Sequence, residues 1–365
     1  MSDSFSKQPA PAVTGRGTAL NTPNRFERIQ IEPEFEQLDD EDQQQLEQRK
    51  VATEYFIDDS QSVVSQNNSP DLRFNFSINP YRGCAHGCSY CYARPYHEYL
   101  GLSAGLDFET KIFVKPNAPE LFRKWLARKS WVCEPVNLSG ITDPYQPAER
   151  KFEITRGCLE VAAACGQPLF LITKNAMVLR DQDILAKMAA NNLVHVVISI
   201  TSLDPGLIRI MEPRTSTPAA RLRAIEQLAE SGILVMVNVA PIIPGLNDEE
   251  VPAILRAVAD AGATAASYVM LRLNGPVEPI FMDWVERHFP ARRERIENGV
   301  RSMREGKLAS SEFFDRMKGT GVLAATIRDS FKKFARHFGL AAKVEPLTTD
   351  LFERPSDNAA QKRLF

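Results

Sequence analysis

The fold is decided by one stretch of the chain, which reads LVHVVISITS (193–202), then TPAARLRAIEQLAESG (217–232) and ILVMVNVAPI (233–242). The first and third segments are almost continuously apolar, as expected of strands buried on both faces of a parallel sheet. The middle segment has the apolar spacing of a helix, with Thr217 at its start and Gly232 at its stop. A strand, a helix and a strand in this order predict a right-handed crossover unit.

The same pattern extends in both directions along the chain. Further strands are predicted at FNFSINP (74–80), PVNLSGI (135–141), PLFLITK (168–174) and AASYVMLRL (265–273), and further helices at 148–166, 180–192 and 248–263. Six such strands predict an α/β fold, either an open doubly wound sheet or a partial (β/α)6 TIM-like barrel. In both architectures the site lies at the carboxyl ends of the strands. The first loop has no G-x-G-x-x-G motif, so dinucleotide binding is not supported.

Two flanks differ from this body in composition. Residues 1–66 hold 13 acidic against 6 basic residues, and we predict a mostly disordered N-terminal leader with one short helix near 39–50. Residues 286–345 hold 14 basic against 8 acidic residues in helical patterns, which predicts a basic helical C-terminal extension. The barrel is then expected over 67–285, and 346–365 are expected to form a flexible tail.

The overall composition is that of an ordinary globular protein. The chain has 365 residues, a formal net charge of −2 and 44% hydrophobic residues, which excludes a coiled coil, a collagen-like rod and a fully disordered chain. The beginning of the chain lacks the pattern of a signal peptide, and no window approaches the roughly 18 apolar residues of a membrane span. We therefore expect a cytoplasmic protein. Six cysteines are too few for a disulfide scaffold, and clustered thiols in a reducing compartment more often bind metal or carry out redox chemistry.

Three of the six cysteines lie within eight residues of one another. In NPYRGCAHGCSYCYARPY (79–96), Cys84, Cys88 and Cys91 form a C-x3-C-x2-C motif straight after the first predicted strand. Three thiolates at this spacing can bind three corners of a [4Fe–4S] cube and leave the fourth iron open. The alternative is a structural zinc site with His86 or a distant residue as the fourth ligand, although no second Cys/His pair follows. The remaining cysteines are interpreted as small buried hydrophobic residues: Cys133, Cys158 and Cys165.

The C-x3-C-x2-C motif, with the aromatic Tyr90 before its third cysteine, resembles the radical S-adenosylmethionine (radical SAM) superfamily over roughly residues 70–275. In that superfamily the amino and carboxylate groups of SAM chelate the open iron, and the reduced cluster cleaves SAM to a 5′-deoxyadenosyl radical. NPYRGC, TDPYQPAE, the strand-end Lys174, S-x-T-S-L-D and APIIPGLND resemble more narrowly the bacterial subgroup related to spore photoproduct lyase, the thymine-dimer repair enzyme. The resemblance and the polar residues at the strand ends together predict these SAM-binding residues: Tyr90, Ser139, Gly140, Thr142, Lys174, Ser199 and Asn238.

The residues at the predicted strand ends can each be interpreted either as ligand contacts or as structural residues. In SGITDPYQP (139–147), small residues and a carboxylate can accept a ligand ammonium, but Asp and Pro also favour a capped turn. The resemblance favours contact with the methionyl amino group. Lys174 emerges from a buried strand, as either a ligand for a carboxylate or a solvated end; the resemblance favours the SAM carboxylate.

The next two strands end in hydroxyl and amide side chains. Ser199 and Thr201 could bind the ribose or the carboxylate, although β-propensity alone explains a threonine there. Asn238 interrupts an apolar run, and a buried amide needs hydrogen-bond partners. We interpret it as an adenosine contact, with a structural hydrogen bond as the alternative.

Five other polar residues have less specific interpretations. Glu212 and Arg214 could pair with each other or line the pocket, and Arg272 at the sixth strand end could hold an anionic substrate. A loop-packing role is preferred for His86. We expect His195 to be a core histidine whose hydrogen bonds are satisfied.

One departure from the related lyase affects the predicted reaction. That enzyme uses a cysteine at the end of the second strand as hydrogen donor, but here the stretch reads SGITDP, and Cys133 lies at the beginning of the segment. No catalytic residue is therefore predicted, and the substrate is open. The hypotheses are a lyase-like or modifying radical SAM enzyme acting on nucleic acid, the same chemistry on a protein or small molecule, and a non-catalytic metal-stabilised binding module.

Three partners are expected from the sequence. The basic region 286–345 favours DNA or another nucleic acid, because clustered Lys and Arg bind phosphates through counterion release. The terminal Gln361, Lys362, Arg363, Leu364 and Phe365 resemble the Q-x-x-L-F peptide by which bacterial repair proteins dock on the sliding clamp. The resemblance also implies a reducing partner such as a flavodoxin or a ferredoxin.

Overall fold

The structure is a computed structural model that describes residues 15–26, 51–72 and 74–356. Its strands are β1 (Glu54–Ile57), β2 (Val64–Gln66), β3 (Phe76–Ile78), β4 (Tyr81–Arg82), β5 (Lys111–Val114), β6 (Val136–Leu138), β7 (Leu169–Thr173), β8 (Val194–Ser199), β9 (Val235–Ile242) and β10 (Ala265–Met270). Its helices are α1 (Leu106–Thr110), α2 (Ala118–Leu126), α3 (Glu149–Phe152), α4 (Ile154–Ala164), α5 (Gln182–Ala189), α6 (Pro205–Met211), α7 (Pro218–Glu230), α8 (Val251–Asp260), α9 (Val277–His288), α10 (Arg293–Ser302), α11 (Asp315–Lys318) and α12 (Gly321–His337).

The main sheet has the strand order β10-β9-β8-β7-β6-β3-β2. All neighbouring strands are parallel except β2, which runs antiparallel to β3. The six parallel strands are those that the sequence predicts. Each lies beside its predecessor without the reversal of a doubly wound sheet, and among the described residues no pairing joins β10 to β3 or β2. The architecture is therefore the partial barrel and not the open doubly wound sheet.

Helix ends follow their local chemistry. The Thr217 hydroxyl accepts a hydrogen bond from the amide of Ala220 and caps α7 at 3.3 Å, as predicted. The helix predicted over 148–166 is instead two helices, α3 and α4, separated where Glu153 adopts a φ of 50°. The buried carboxylate of Glu149 accepts the amide hydrogen of Thr155 at 3.0 Å, so it satisfies the free start of α4 in place of a preceding helical turn.

A small three-stranded sheet, β1-β5-β4, carries the cysteine motif, because β4 ends two residues before Cys84. The mostly disordered leader that is predicted over 1–66 contains ordered segments in its described part. Strand β1 pairs with β5, β2 pairs with β3, and residues 15–26 pack against the loop that carries the cysteines. The helix predicted near 39–50 lies outside the described residues.

The C-terminal region is helical, as predicted, but it starts earlier, at the first residue of α9. Helix α12 packs on β10, where the rings of Tyr268 and Phe331 are 4.7 Å apart. The prediction of a flexible tail is wrong for 346–356, since the amide of Glu353 donates to the carbonyl of Cys165 at 2.9 Å and Leu347 is buried. The terminal QKRLF lies outside the described residues. None of the helices in the described ranges combines the length and apolarity needed to cross a bilayer.

Candidate functional site

The loop from Gly83 to Cys91, here called the cysteine loop, lies over the carboxyl ends of the central strands. After β6, the hydroxyl of Thr142 and the amide of Gln146 donate to the Gly83 carbonyl at 2.8 and 3.1 Å. The side chains of Asn175, after β7, and His86 are 3.3 Å apart. Beyond β8, the carbonyl of Met211 accepts from Ser89, and the amide of Arg214 donates to the carbonyl of His86. Three neighbouring strand ends thus hold the loop where a barrel of this type places its site.

The three thiols of the motif are free and largely enclosed. Cys84 and Cys88 are buried, and Cys91 is half-buried. Burial raises the pKa of Cys84 to about 12 and also raises the pKa of Cys88 and Cys91. The charge of Lys174 opposes this effect at Cys88. Binding of a metal to these sulfurs would therefore release protons, as thiolate ligation requires.

A buried ion pair fixes the backbone of the cysteine loop. The guanidinium of Arg94 donates two hydrogen bonds to the Cys88 carbonyl, at 3.1 and 2.8 Å, and pairs with the carboxylate of Glu109. Both charged side chains are completely buried. The sequence alone does not predict this pair, because nothing in the spacing of the two residues indicates that they meet. A buried pair of this kind is costly to break.

The cysteine loop offers three free thiols as ligands for a metal or a cluster. Within 15–26, 51–72 and 74–356, no three His, Cys, Asp or Glu side chains are placed so that they could hold a metal ion. In a [4Fe–4S] cluster each thiolate binds a different iron, so the sulfurs need not meet at one point. The ring of His86, one of the fourth ligands that the zinc interpretation allows, lies between Asn175 at 3.3 Å and the Asp143 carboxylate at 3.5 Å. This packing agrees with the predicted loop-packing role of His86.

The predicted amino-group contacts at the end of β6 form a tight turn. Ser139 has a φ of 103°, and its hydroxyl donates to the Thr142 carbonyl. The amide of Gly140 donates to the side chain of Asn79 at 2.8 Å. The Asp143 carboxylate accepts from the amide of Lys174 at 2.8 Å. The capped turn that the sequence left open is therefore present, and the ligand contacts of these residues remain predictions.

Lys174 and Tyr90 meet at the buried carboxylate of Glu212. The ammonium of Lys174 is 3.8 Å from Glu212 and 3.0 Å from the carbonyl of Ala240, and its side chain is 17% exposed. The hydroxyl of Tyr90 donates to Glu212, which also pairs with Arg221. Although burial alone would raise it, Arg221 and Lys174 hold the pKa of Glu212 at about 2. The carboxylate is therefore charged and anchors the cations around it.

The suggested pairing of Glu212 with Arg214 is wrong. The guanidinium of Arg214 instead donates to the hydroxyl of Thr53 at 3.2 Å. The partner of Glu212 is Arg221 on α7, nine residues along the chain. The other interpretation, that Glu212 lines the pocket, agrees with its contact to Thr201 at 2.5 Å, since Thr201 follows β8.

The two predicted contacts on β8 and β9 are neighbours. Ser199 lies opposite Asn238 in the strand register, and Ser199 is buried. The side chain of Asn238 accepts a hydrogen bond from the Ser267 hydroxyl at 3.2 Å. The structural hydrogen bond that the sequence left as the alternative is therefore present, while an adenosine contact remains a prediction.

The remaining predicted residues divide between the site and the core. The guanidinium of Arg272 lies 5.4 Å from the ring centre of Tyr92, whose hydroxyl donates to the Gly140 carbonyl. His195 is in the core as predicted, but neither of its ring nitrogens has a hydrogen-bond partner among the described residues. Cys158 and Cys165 are buried as predicted, whereas Cys133 is only half-buried.

Comparisons with known proteins converge on this region. A model of the radical SAM superfamily matches residues 78–258. An uncharacterised protein of Mycobacterium tuberculosis is 40% identical over 225 residues, which are 61% of this chain and 66% of that relative, just under two thirds of its length. An uncharacterised protein of Acidianus two-tailed virus is 30% identical over 224 residues, 58% of this chain and 71% of the relative.

Solved structures show the same fold. Spore photoproduct lyase in complex with a dinucleoside spore photoproduct aligns with a TM-score of 0.56 at 17% identity, over 78% of this chain and 80% of that one. A single-residue variant of the lyase aligns over 87% and 86% with a TM-score of 0.57 at 18% identity. The shared architecture supports the partial barrel and places no substrate in it.

Proposed function

Because this chain belongs to the radical SAM superfamily, we propose that it is an enzyme that cleaves SAM with a [4Fe–4S] cluster held by Cys84, Cys88 and Cys91. When bound, the cluster and SAM would supply a 5′-deoxyadenosyl radical for hydrogen abstraction. The observation that carries the proposal is the cysteine loop, held over three parallel strand ends with its thiols free. Around this loop the protein would bind and orient SAM and exclude water.

The strand ends supply groups suited to a zwitterionic ligand. The half-buried ammonium of Lys174 at the end of β7 would bind the methionyl carboxylate, because a charged donor in a partly dry site binds carboxylates strongly. The turn at Ser139 and Gly140 would accept the amino group. Ser199 and Asn238, adjacent on β8 and β9, would contact the ribose and the adenine. Thr142 would act indirectly, since its hydroxyl already holds the Gly83 carbonyl.

Anaerobic reconstitution with iron and sulfide tests the proposal. Replacing any one of Cys84, Cys88 and Cys91 by Ala should abolish cluster absorbance and the production of 5′-deoxyadenosine. Cys133→Ala is the matched control, a half-buried cysteine outside the loop that should leave both intact. Cluster assembly and SAM cleavage by the triple Ala variant would refute the assignment. One zinc without labile sulfide would instead favour the non-catalytic binding module.

A nucleic acid is the substrate class that the surface next to the site favours. Four exposed aromatic rings, here called the aromatic track, lead away from the strand ends: Tyr92, Tyr96, Tyr99 and Phe26. The ring centres of Tyr96 and Tyr99 are 6.3 Å apart, and those of Tyr99 and Phe26 are 5.1 Å apart. Tyr92 is 44% exposed and Tyr99 is 64% exposed. Rings left open to solvent in a row offer stacking surfaces for unpaired bases.

Arginines accompany the aromatic track at both ends. Arg272 lies over Tyr92 at 5.4 Å, and Arg25 lies over Phe26 at 4.8 Å. Guanidinium groups bind phosphate and stack on bases, which makes this combination suited to single-stranded or extruded nucleotides. We therefore propose nucleic acid as the first substrate class and a protein or small molecule as the second.

The basic C-terminal extension gives this proposal less support than its charge suggests. Several of its arginines have acidic partners, such as Arg316 with Asp71 at 2.6 Å. The cations at the end of α12, Lys332 and Lys333, lie only a few residues before Ala341, which pairs with the first residue of β10. That end of β10 is opposite the carboxyl ends of the strands, so the segment that follows α12 lies away from them.

Mass spectrometry of deuterium transfer separates the substrate classes. Candidate oligonucleotides, peptides and small molecules labelled with deuterium are incubated with reconstituted enzyme, SAM and a reduced flavodoxin. Deuterium in 5′-deoxyadenosine identifies the class from which hydrogen is abstracted. Transfer from a peptide or a small molecule, with none from an oligonucleotide, would refute the nucleic-acid proposal.

A further inference from the structure

We propose that residues 15–26, here called the N-terminal strap, are a working part of the cysteine site. The strap holds the cysteine loop in one conformation and keeps solvent from its outer face. The proposal rests on the proposed function for the identity of the bound cluster, while the contacts that carry it involve only this chain.

The strap and the cysteine loop touch backbone to backbone. Gly17 packs against Gly87, and a Cβ atom at position 17 would overlap the carbonyl oxygen of Gly87. Gly17 is buried, and Thr18 beside it is only 2% exposed. Such an approach is possible only where the residue has no side chain. The contact lies between Cys84 and Cys88, so any group placed in it would displace the loop that carries both thiols.

A buried carboxylate links the strap to the cysteine ligands. The amides of Arg16 and Gly17 donate to Glu109 at 2.9 and 3.1 Å. Glu109 pairs with Arg94, and Arg94 holds the carbonyl of Cys88. Removing the strap would take two donors from a fully buried carboxylate, and an unsatisfied charged group of this kind is destabilising. The effect would pass through Arg94 to the position of Cys88.

A second anchor fixes the far end of the strap. The side-chain amide of Asn24 donates to the carbonyls of Glu98 and Leu102 at 2.9 and 3.3 Å. Arg25 pairs with the Glu98 carboxylate at 3.0 Å. Glu98 lies in the helical segment Arg94–Leu100, which follows the cysteine loop, and Leu102 lies two residues beyond that segment. The strap therefore crosses the outer face of the loop and is attached on either side of it.

Alkylation of the cluster-free protein tests the strap without the cofactor. In full-length Gly17→Val, iodoacetamide should modify Cys84, Cys88 and Cys91 at least about tenfold faster than in the wild type, because local opening sets the rate and two hydrogen bonds to a charged group are lost. Peptide mass spectrometry gives the rate at each cysteine. The control is Gly206→Ala, where the added methyl group would meet only the side chain of Asp204.

Cys158 and Cys165 serve as internal reporters of the whole fold, since both are buried in the core. Equal alkylation rates in wild type and Gly17→Val would overturn the proposal. Parallel acceleration of Cys158 and Cys165 would overturn it too, because the strap would then support the entire fold. Asn24→Ala, which removes only the far anchor, should give a smaller acceleration at the same three cysteines.

Exposure of the reconstituted protein to air provides the second measurement. Cluster absorbance should decay several-fold faster in Gly17→Val than in Gly206→Ala, because water and oxygen reach an uncovered loop more readily. An equal decay would contradict the shielding role. Failure of wild-type protein to bind any cluster would refute the proposed function and leave the alkylation result standing.

Discussion

Two buried glutamates support the cysteine loop, and their surroundings differ. Glu109 faces the N-terminal strap, where it meets backbone amides and the enclosed guanidinium of Arg94. Glu212 faces the strand ends, where it meets hydroxyl groups and the partly exposed ammonium of Lys174. Glu109 and these partners on the strap side are enclosed, so they present no side chain to a ligand. We conclude that Glu109 maintains the shape of the loop, whereas Glu212 orients the side chains that we propose as cofactor contacts.

The largest expected effect comes from breaking the enclosed pair on the strap side. Arg94→Met leaves Glu109 buried without its cation, and the free energy of unfolding should fall by about 3–5 kcal/mol. Urea denaturation of the cluster-free protein measures it. The matched control is Arg301→Met, whose ion pair with Glu297 lies at the surface and should contribute no more than about 1 kcal/mol. Similar losses in both variants would contradict the structural role of Arg94.

A smaller effect, of a different kind, is expected on the strand-end side. Lys174→Met removes the ammonium but leaves Arg221 to neutralise Glu212, so binding should suffer more than folding. SAM affinity should fall by about 10- to 150-fold, as expected for a charged hydrogen bond worth about 1.5–3 kcal/mol. Anaerobic titration calorimetry on the reconstituted protein measures it, with Lys333→Met as control. Unchanged affinity would remove Lys174 from the cofactor site.

The smallest effect is expected on the aromatic track. Tyr99→Ala should weaken binding of a single-stranded oligonucleotide by about 5- to 150-fold, since stacking contributes about 1–3 kcal/mol per base. Cluster absorbance and stability should not change, because Tyr99 is exposed and far along the track. Fluorescence anisotropy measures the affinity, and Val322→Ala is an exposed apolar control on α12. Equal affinities in the two variants would favour a protein or small-molecule substrate.

The parts of the molecule that the sequence predicts are those with local or periodic signals. The six parallel strands are recognisable because each is an apolar run, and β6 and β8 are buried at every residue. The cysteine motif is recognisable because its three cysteines lie within eight residues of one another. Both features can be predicted from the local sequence, without knowing which distant residues are in contact.

The missed features depend on contacts between distant polar residues. Glu109 and Arg16 are 93 positions apart, and each alone is typical of an exposed surface residue. The strap falls in a range whose composition is dominated by its acidic neighbours, so an average over 1–66 conceals the ordered residues. Strand β4 has only two residues, too few for any periodicity. In these places the tertiary structure, and not the local pattern, determines the conformation.

The outer edge of β10 has a consequence for the behaviour of the protein in solution. An edge strand with free amides and carbonyls is a template on which another chain can add a strand. Here Ala341 bonds to the Thr264 carbonyl and the Ala266 amide, and the ammonium of Lys318 donates to the Tyr268 carbonyl. The bonded groups belong to every second residue, and they therefore lie along the same edge of the strand. The C-terminal region thereby covers this edge of the incomplete barrel against pairing with another chain.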